Sequence, residues 1–242
     1  MEFVNSISNH FTSPERKAKL KRLQEEKELR ILYPKKLADT RWLSLGESLT
    51  RILEIWDSLT IYYKSICEID LPKKENIKRK KKLKIQRRKK NYCNIYNLLT
   101  DELFFKKILF FSYIVKTMNR YNKIFQDQSL DISKLKTTMN ECYDFFLDLI
   151  LKPNVSLEKK DALGVQWSDK ECQNNLVKGF EDFITSLADE VDIKYKNLIY
   201  QTKETQEDFY NTFIGFSCKI LELLAEYLPL EDNLIKSLIL LS

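Results

Sequence analysis

The densest local pattern in the chain lies in one run of residues, Asp39-Thr-Arg-Trp-Leu-Ser-Leu-Gly-Glu-Ser-Leu-Thr-Arg-Ile-Leu-Glu-Ile-Trp56. Within it, Ser44 and Glu47 have the S-x-x-E spacing of a capping box, in which each side chain accepts a hydrogen bond from the other residue's backbone amide. Apolar residues then recur at steps of three and four, at Leu49, Ile52, Leu53, Trp56, Leu59, Tyr63 and Ile66. This spacing predicts an amphipathic helix from about Leu45 to Glu68, with the pair Arg41-Trp42 just before its first turn.

The same helical spacing recurs along the rest of the chain. It predicts further helices over about 15–32, 132–152, 171–200, 205–227 and 230–242, and one long helix or two in line over about 95–126. Asp131 is the predicted N-cap of one of them, and Ser168 with Glu171 repeats the capping-box spacing for another. The chain has only 4 Gly and 5 Pro in 242 residues. Few turn residues and no convincing alternation of period two favour an all-α bundle of about five long helices.

Positive charge is concentrated in residues 73–90, which we call the basic segment. It holds 12 Lys and Arg and one acid, whereas the rest of the chain has 29 basic and 34 acidic residues. The net charge of +6 therefore comes from this segment, and the remainder is mildly acidic. With few apolar residues and strong like-charge repulsion, the segment is predicted to be a disordered linker.

Three interpretations of the basic segment stay open. It is a nuclear-import signal read by an import receptor, an arm that binds nucleic-acid phosphates, or a plain solvated linker. Under the first two, the candidate contact residues are Lys78, Arg79, Lys80, Lys81, Lys82, Lys84, Arg87, Arg88, Lys89 and Lys90.

Several classes of function are disfavoured by what the residues lack. Neither G-x-G-x-x-G nor G-x-x-x-x-G-K-[ST] occurs, so no nucleotide cofactor is expected. The five cysteines are widely spaced and the single His10 is far from them, so no metal site is predicted, and the cysteines are expected to be buried, reduced thiols. The longest apolar run, 103–115, is interrupted by Lys106 and Lys107, so no membrane span is expected.

The segment from Leu37 to Leu59 resembles a recurring segment of hAT-superfamily transposases and the host proteins derived from them. In that family a Thr-Arg-Trp, a Ser and a helix ending in Trp-x-x-Leu stand in this order, as Thr40-Arg41-Trp42, Ser44 and Trp56-x-x-Leu59 do here. Shorter pieces are also similar to the family: His10-Phe11-x-Ser13-x-x-Arg16, Tyr121-Asn-x-x-Phe-Gln126, Leu151-Lys-Pro153 and Tyr227-Leu-Pro-Leu-x-Asp-x-Leu-x-Lys236. The resemblance covers nearly the whole chain except the basic segment.

The resemblance implies the all-helical domain that interrupts the RNase H-like catalytic domain of these transposases. Residues 1–36 would be a remnant flank of the catalytic domain, 37–70 the Arg-Trp segment with its helix, 71–94 a linker, and 95–242 the rest of the inserted bundle. The family's three metal-binding acids would lie outside the chain, which we expect to be a fragment of a longer protein. Since two-metal cleavage needs clustered carboxylates, we expect no catalytic activity here.

In family members that act on DNA, the tryptophan matching Trp42 is thought to lie close to the DNA end. Arg41 has the chemistry to contact a phosphate, and Trp42 to stack on an unpaired base. The structural alternative is that Trp42 packs over its own helix and Arg41 pairs with an acid. The expected function is a nuclear, transposase-derived protein with weak DNA contact. The alternatives are a helical protein-interaction scaffold and a decaying element copy without selected function.

Overall fold

The computed structural model describes residues 2–37, 42–68, 79–126, 131–157, 159–183, 185 and 206–228. The all-α prediction is confirmed, and no strand occurs among these residues. The helices are α1 (Glu2–His10), α2 (Pro14–Glu26), α3 (Trp42–Glu54), α4 (Trp56–Glu68), α5 (Arg79–Thr100), α6 (Glu102–Phe125), α7 (Ile132–Ile150), α8 (Lys159–Leu163), α9 (Lys170–Leu176) and α10 (Gln206–Tyr227). The predicted last helix over 230–242 lies outside the described residues. The chain divides into two compact units, Met1–Lys116 and Thr117–Ser242.

The core of the first unit is built mainly from α1, α3, α4 and α5, with the start of α6. Apolar side chains in this core that are at most 1% exposed include Ile7, Phe11, Leu20, Ile52, Ile55, Leu59, Tyr62 and Tyr63. The stripe predicted from the sequence is therefore the buried face of α3 and α4. The predicted surface helix, α2, buries only Leu20 and Gln24, and the Gln24 amide reaches back to the Leu32 carbonyl at 3.0 Å.

The helix behind the Arg-Trp pair begins earlier than predicted. It starts at Trp42, so Ser44 lies inside the first turn and is not the N-cap. The first-turn amides lack helical partners wherever a helix starts, so a capping-box spacing alone does not fix the first residue. The predicted single helix is interrupted at Ile55, although Ile55 N still donates to Arg51 O at 3.2 Å and Leu59 N to Ile55 O at 2.9 Å.

The prediction that the basic segment, residues 73–90, is a disordered linker is wrong from Arg79 onward. These residues form the first part of α5, a continuous helix that runs to Thr100. Lys, Arg, Leu and Gln are all strong helix formers, and extending an existing helix costs far less than nucleating one. The packed second half of α5 therefore stabilises a helical conformation in the basic half. Residues 71–78 lie outside the described residues.

Of the two alternatives predicted over 95–126, one long helix or two in line, the structure has the second: α5 and α6 meet at Asp101. The Asp101 carboxylate accepts hydrogen bonds from Leu103 N at 2.9 Å and Phe104 N at 3.2 Å. A short acidic side chain that binds first-turn amides stabilises a helix start. Asp101 therefore marks the start of the second helix.

In the second unit, α7 packs against α10. The predicted cap is confirmed, since Asp131 accepts from Lys134 N at 2.7 Å. The predicted seam of α7 is buried at Met139, Cys142, Phe146 and Leu149. The predicted bounds of α10, about 205–227, agree with the structure within one residue.

The middle of the second unit departs from the prediction. Asp169, not Ser168, caps α9 by accepting from Glu171 N at 2.8 Å, and Ser168 N instead donates to Glu222 Oε1 at 2.9 Å. The helix predicted over 171–200 is interrupted after Leu176, and residues 180–183 and 185 are helical again. At the interruption the chain crosses Leu151 in an isolated antiparallel bridge, with Lys178 N donating to Ile150 O at 2.7 Å.

Candidate functional site

The first half of α5 carries the basic residues, and its second half packs against α4. The backbone at Arg79, Lys80, Lys81, Lys82 and Lys84 is helical, and their side chains, like all of Lys78, lie outside the described residues. Further along, Arg87, Arg88 and Lys90 are exposed and Lys89 is half-buried. The last part of the basic segment therefore presents cations to solvent from an ordered helix.

The second half of α5 is fixed to α4. The indole nitrogen of Trp56 donates to the Leu99 carbonyl at 3.0 Å. Trp56 is the first residue of α4, and Leu99 lies near the end of α5. The Tyr63 and Tyr92 rings meet at 6.1 Å further along, so the two helices run antiparallel. Since Leu99 is only 4% exposed, burial holds the helix that bears the basic residues.

The Arg-Trp pair is described only in part. Arg41 lies outside the described residues, while Trp42 is the first residue of α3 and its side chain is not described. The body of α3 is firmly held, because Leu49 and Ile52 are buried. Unsatisfied amides give a helix N-terminus a partial positive charge, which favours a neighbouring anion such as phosphate.

Sequence reasoning missed a third feature, a buried cluster around His10. The imidazole Nε2 lies 2.9 Å from the Tyr62 hydroxyl. The His10 ring also contacts the rings of Phe11 and Tyr92, each at 4.9 Å, and of Tyr63 at 5.4 Å. These rings come from α1, α4 and α5 and the residue that follows α1. The cluster therefore joins three helices of the first unit.

Burial dominates the electrostatics of this cluster. It lowers the pKa of His10 from 6.5 to about 4, helped by the positive charges of Arg16 and Lys19. Burial also raises the pKa of Tyr62 to about 12, and it raises the pKa of Tyr63 as well. His10 is only 7% exposed and Tyr62 only 1%. At neutral pH the pair is therefore an uncharged hydrogen bond in the core, and water has little access to it for acid–base chemistry.

The cysteines only partly follow the prediction of buried thiols. Cys142 and Cys218 are buried, whereas Cys67, Cys93 and Cys172 are partly exposed. Among the described residues, no group of three His, Cys, Asp or Glu side chains is arranged to hold a metal ion. Within the same ranges, no helix combines the length and apolar character that crossing a membrane requires. Comparisons with protein families, with curated proteins and with solved structures found no match to this chain.

Proposed function

We propose that this chain is the helical part of a nuclear protein descended from a hAT-superfamily transposase, that it has no catalytic activity of its own, and that it binds DNA weakly. DNA contact is assigned to the Arg41-Trp42 pair and to the basic half of α5. The resemblance of the segment Leu37 to Leu59 supports the ancestry. The all-α fold agrees with a helical inserted domain.

The observation that carries the DNA-binding proposal is the anchoring of α5. A free basic tail must lose conformational entropy when it binds, whereas cations on a packed helix lose less. Arg87, Arg88 and Lys90 are exposed within one helical turn, and Leu99 and Trp56 hold the other end of that helix. Lys and Arg in such an array bind the phosphate backbone without reading sequence.

The Arg-Trp pair would add a preference for unpaired DNA. Arg41 would contact a phosphate near the N-terminus of α3, where the helix dipole also favours an anion. Trp42 would stack on an unpaired base, a contact worth about 1–3 kcal/mol per base. A hairpin end offers such bases and a plain duplex does not.

The test is fluorescence anisotropy with labelled hairpin and duplex DNA between about 50 and 200 mM salt. The triple variant Arg87→Gln/Arg88→Gln/Lys90→Gln keeps good helix formers and removes three charges. We expect it to weaken both complexes and to reduce the slope of log K against log salt by up to about 3. The matched control, Lys116→Gln/Lys123→Gln/Lys170→Gln, removes the same charge from exposed positions elsewhere.

A third variant, Trp42→Ala, tests the stacking role of Trp42. It should weaken hairpin binding selectively and leave duplex binding unchanged. Equal losses in the two triple variants would mean that only net charge matters and would overturn the assignment to α5. No binding to either DNA at low salt would favour the protein-interaction scaffold.

Nuclear import through the basic segment is a second proposal, supported by the exposed Arg87, Arg88 and Lys90 next to the run 78–82. The full chain would be fused to a fluorescent carrier too large to diffuse through nuclear pores. Replacing Lys78, Arg79, Lys80, Lys81 and Lys82 by Gln should abolish nuclear accumulation. Unchanged accumulation in this variant would assign import to another part of the chain.

A further inference from the structure

A second run of positive charge lies in α2, and the proposed contact through α5 leaves it without a role. Residues 15–22 hold five Lys and Arg and one acid, Glu15. Leu20 is buried, whereas four of the basic side chains are exposed: Lys17, Lys19, Lys21 and Arg22. Like charges this close repel one another, so an anionic partner would stabilise this face of the helix.

Two side chains of this run lie against the His10 cluster. Arg16 Nη1 donates to the His10 carbonyl at 3.0 Å, and Lys19 Nζ lies 5.5 Å from the centre of the Tyr62 ring. Both positive charges help to lower the pKa of His10. A guanidinium has five N–H donors, so Arg16 has further donors beyond the one that binds the carbonyl. Because that bond already orients the guanidinium, little side-chain freedom is lost when an anion binds.

Helix α5 reaches the same cluster through Tyr92, whose ring lies 4.9 Å from the His10 ring. Arg88 precedes Tyr92 by four residues, so it lies one turn away on the same side of α5. Its side chain is exposed. Both α2 and α5 pack against α4. Basic side chains from two helices therefore adjoin one buried cluster, which fixes the helices that carry them.

We propose that Arg16, Lys19 and Arg88 form one phosphate-binding surface, contributed by α2 and α5, that takes backbone phosphates of a DNA duplex. This surface extends the α5 contact of the proposed function, on which it rests, to a second helix.

The placement of the three cations favours an extended polyanion over a single small anion. Lys19 lies about one turn from Arg16, and Arg88 is on another helix, so the charges are spread along a surface. A duplex carries one phosphate per about 1.7 Å of its axis and can meet all three charges at once. The two guanidinium groups suit phosphate oxygens through paired hydrogen bonds, and the ammonium acts as a point charge. Such contacts follow the backbone and not the base sequence.

The experiment measures binding of the full chain to a short labelled duplex by fluorescence anisotropy, between about 50 and 200 mM salt. Lys19→Gln removes one charge and keeps a good helix former. We expect the affinity to fall roughly 3- to 10-fold, and the slope of log K against log salt to decrease by about 1. The double variant Lys19→Gln/Arg88→Gln should decrease the slope by about 2.

Lys21→Gln is the matched control, since it removes the same charge from the same helix. Lys21 lies two residues from Lys19, about 200° around α2. Its Nζ is 3.6 Å from Glu25 Oε1. This variant should change the affinity by less than about twofold, because screening by salt weakens the effect of a charge outside the contact. Far-UV circular dichroism confirms that each variant folds.

The single histidine gives an independent readout of where the duplex lies. A phosphate held by Arg16 and Lys19 changes the electric field at His10, so the one imidazole NMR signal should shift when the duplex is added. The shift should be smaller in Lys19→Gln and should keep its full size in Lys21→Gln.

Two results would overturn the surface on α2 and leave the α5 contact standing. One is an equal loss of affinity in Lys19→Gln and Lys21→Gln, and the other is an unshifted imidazole signal at saturating duplex. A natural chain that does not bind the duplex even at low salt would overturn the proposed function together with this surface.

Discussion

Acidification should destabilise the first unit through His10 well before most carboxylates are protonated. Burial among Tyr62, Tyr63, Tyr92 and Phe11, with Arg16 and Lys19 nearby, lowers the pKa of His10 in the folded chain to about 4. In the unfolded chain the pKa returns to about 6.5. Between these two values the unfolded chain binds more protons, so the free energy of unfolding falls as the pH falls.

The size of the effect follows from the two pKa values. Each pKa unit is worth about 1.36 kcal/mol, so the full loss is about 3 kcal/mol once the pH is well below 4. Lowering the pH from 7 to 5 should already cost about 2 kcal/mol. The contribution of neutral His10 to the free energy of unfolding is complete above pH 6.5. It decreases as the pH falls below 6.5 and is fully lost once the pH is below the folded-state pKa of about 4.

His10 is the only histidine in the chain, so one imidazole signal in an NMR titration reports it without assignment. The folded chain should give a pKa near 4. Urea unfolding at pH 7 and pH 5, followed by circular dichroism, should show the loss of about 2 kcal/mol in the natural chain and not in His10→Gln. The amide of Gln can still pair with the Tyr62 hydroxyl but does not titrate. An NMR pKa above 6, or equal pH dependence in both chains, would refute the reasoning.

Five further substitutions, at four positions, test the packing, the cap of α7 and the Trp56 hydrogen bond by urea unfolding. Phe146→Ala should cost about 3–5 kcal/mol because the side chain is fully buried, whereas Leu223→Ala, at a position that is 40% exposed, should cost far less. Asp131→Ala should cost about 1 kcal/mol by removing the cap of α7, and Asp131→Asn should recover most of it. Trp56→Phe should cost about 1–3 kcal/mol because the Leu99 carbonyl loses its donor, and unchanged stability would show that water replaces the indole.

Features that depend on residues close in sequence were predicted well. The Asp131 cap and the bounds of α10 follow from spacings of three and four residues, which the helical geometry converts directly into neighbouring positions. The buried face of α7 at Met139, Cys142 and Phe146 follows in the same way. Such patterns need no knowledge of the partner helix, because the apolar face of an amphipathic helix is the face that packs against the rest of the protein.

The errors arose where two local effects compete. At the basic segment, like-charge repulsion opposes the high helix propensity of Lys and Arg, and the sequence alone does not show that Leu99 anchors the helix further along. At Ser168, two neighbouring residues were both suitable caps, and Asp169 took the role while the Ser168 amide bound Glu222, 54 positions away.

The buried cluster around His10 could not be predicted from local patterns. His10 and Tyr62 are 52 positions apart, and neither lies in a motif that requires the other. The DNA-contact residues Arg41 and Trp42 stay a prediction, since their side chains lie outside the described residues.

Each of the two compact units contains a buried tryptophan whose fluorescence can report the unfolding of that unit. Trp56 lies in the core of the first unit at 9% exposure, and Trp167 lies in the second unit at 1%. With Trp42 and one of these two replaced by Phe, the remaining indole emits from a single unit. In each version, a fluorescence unfolding curve that superimposes on the far-UV circular dichroism curve of the same version would mean that the two units unfold cooperatively, and separated curves would mean that they unfold independently.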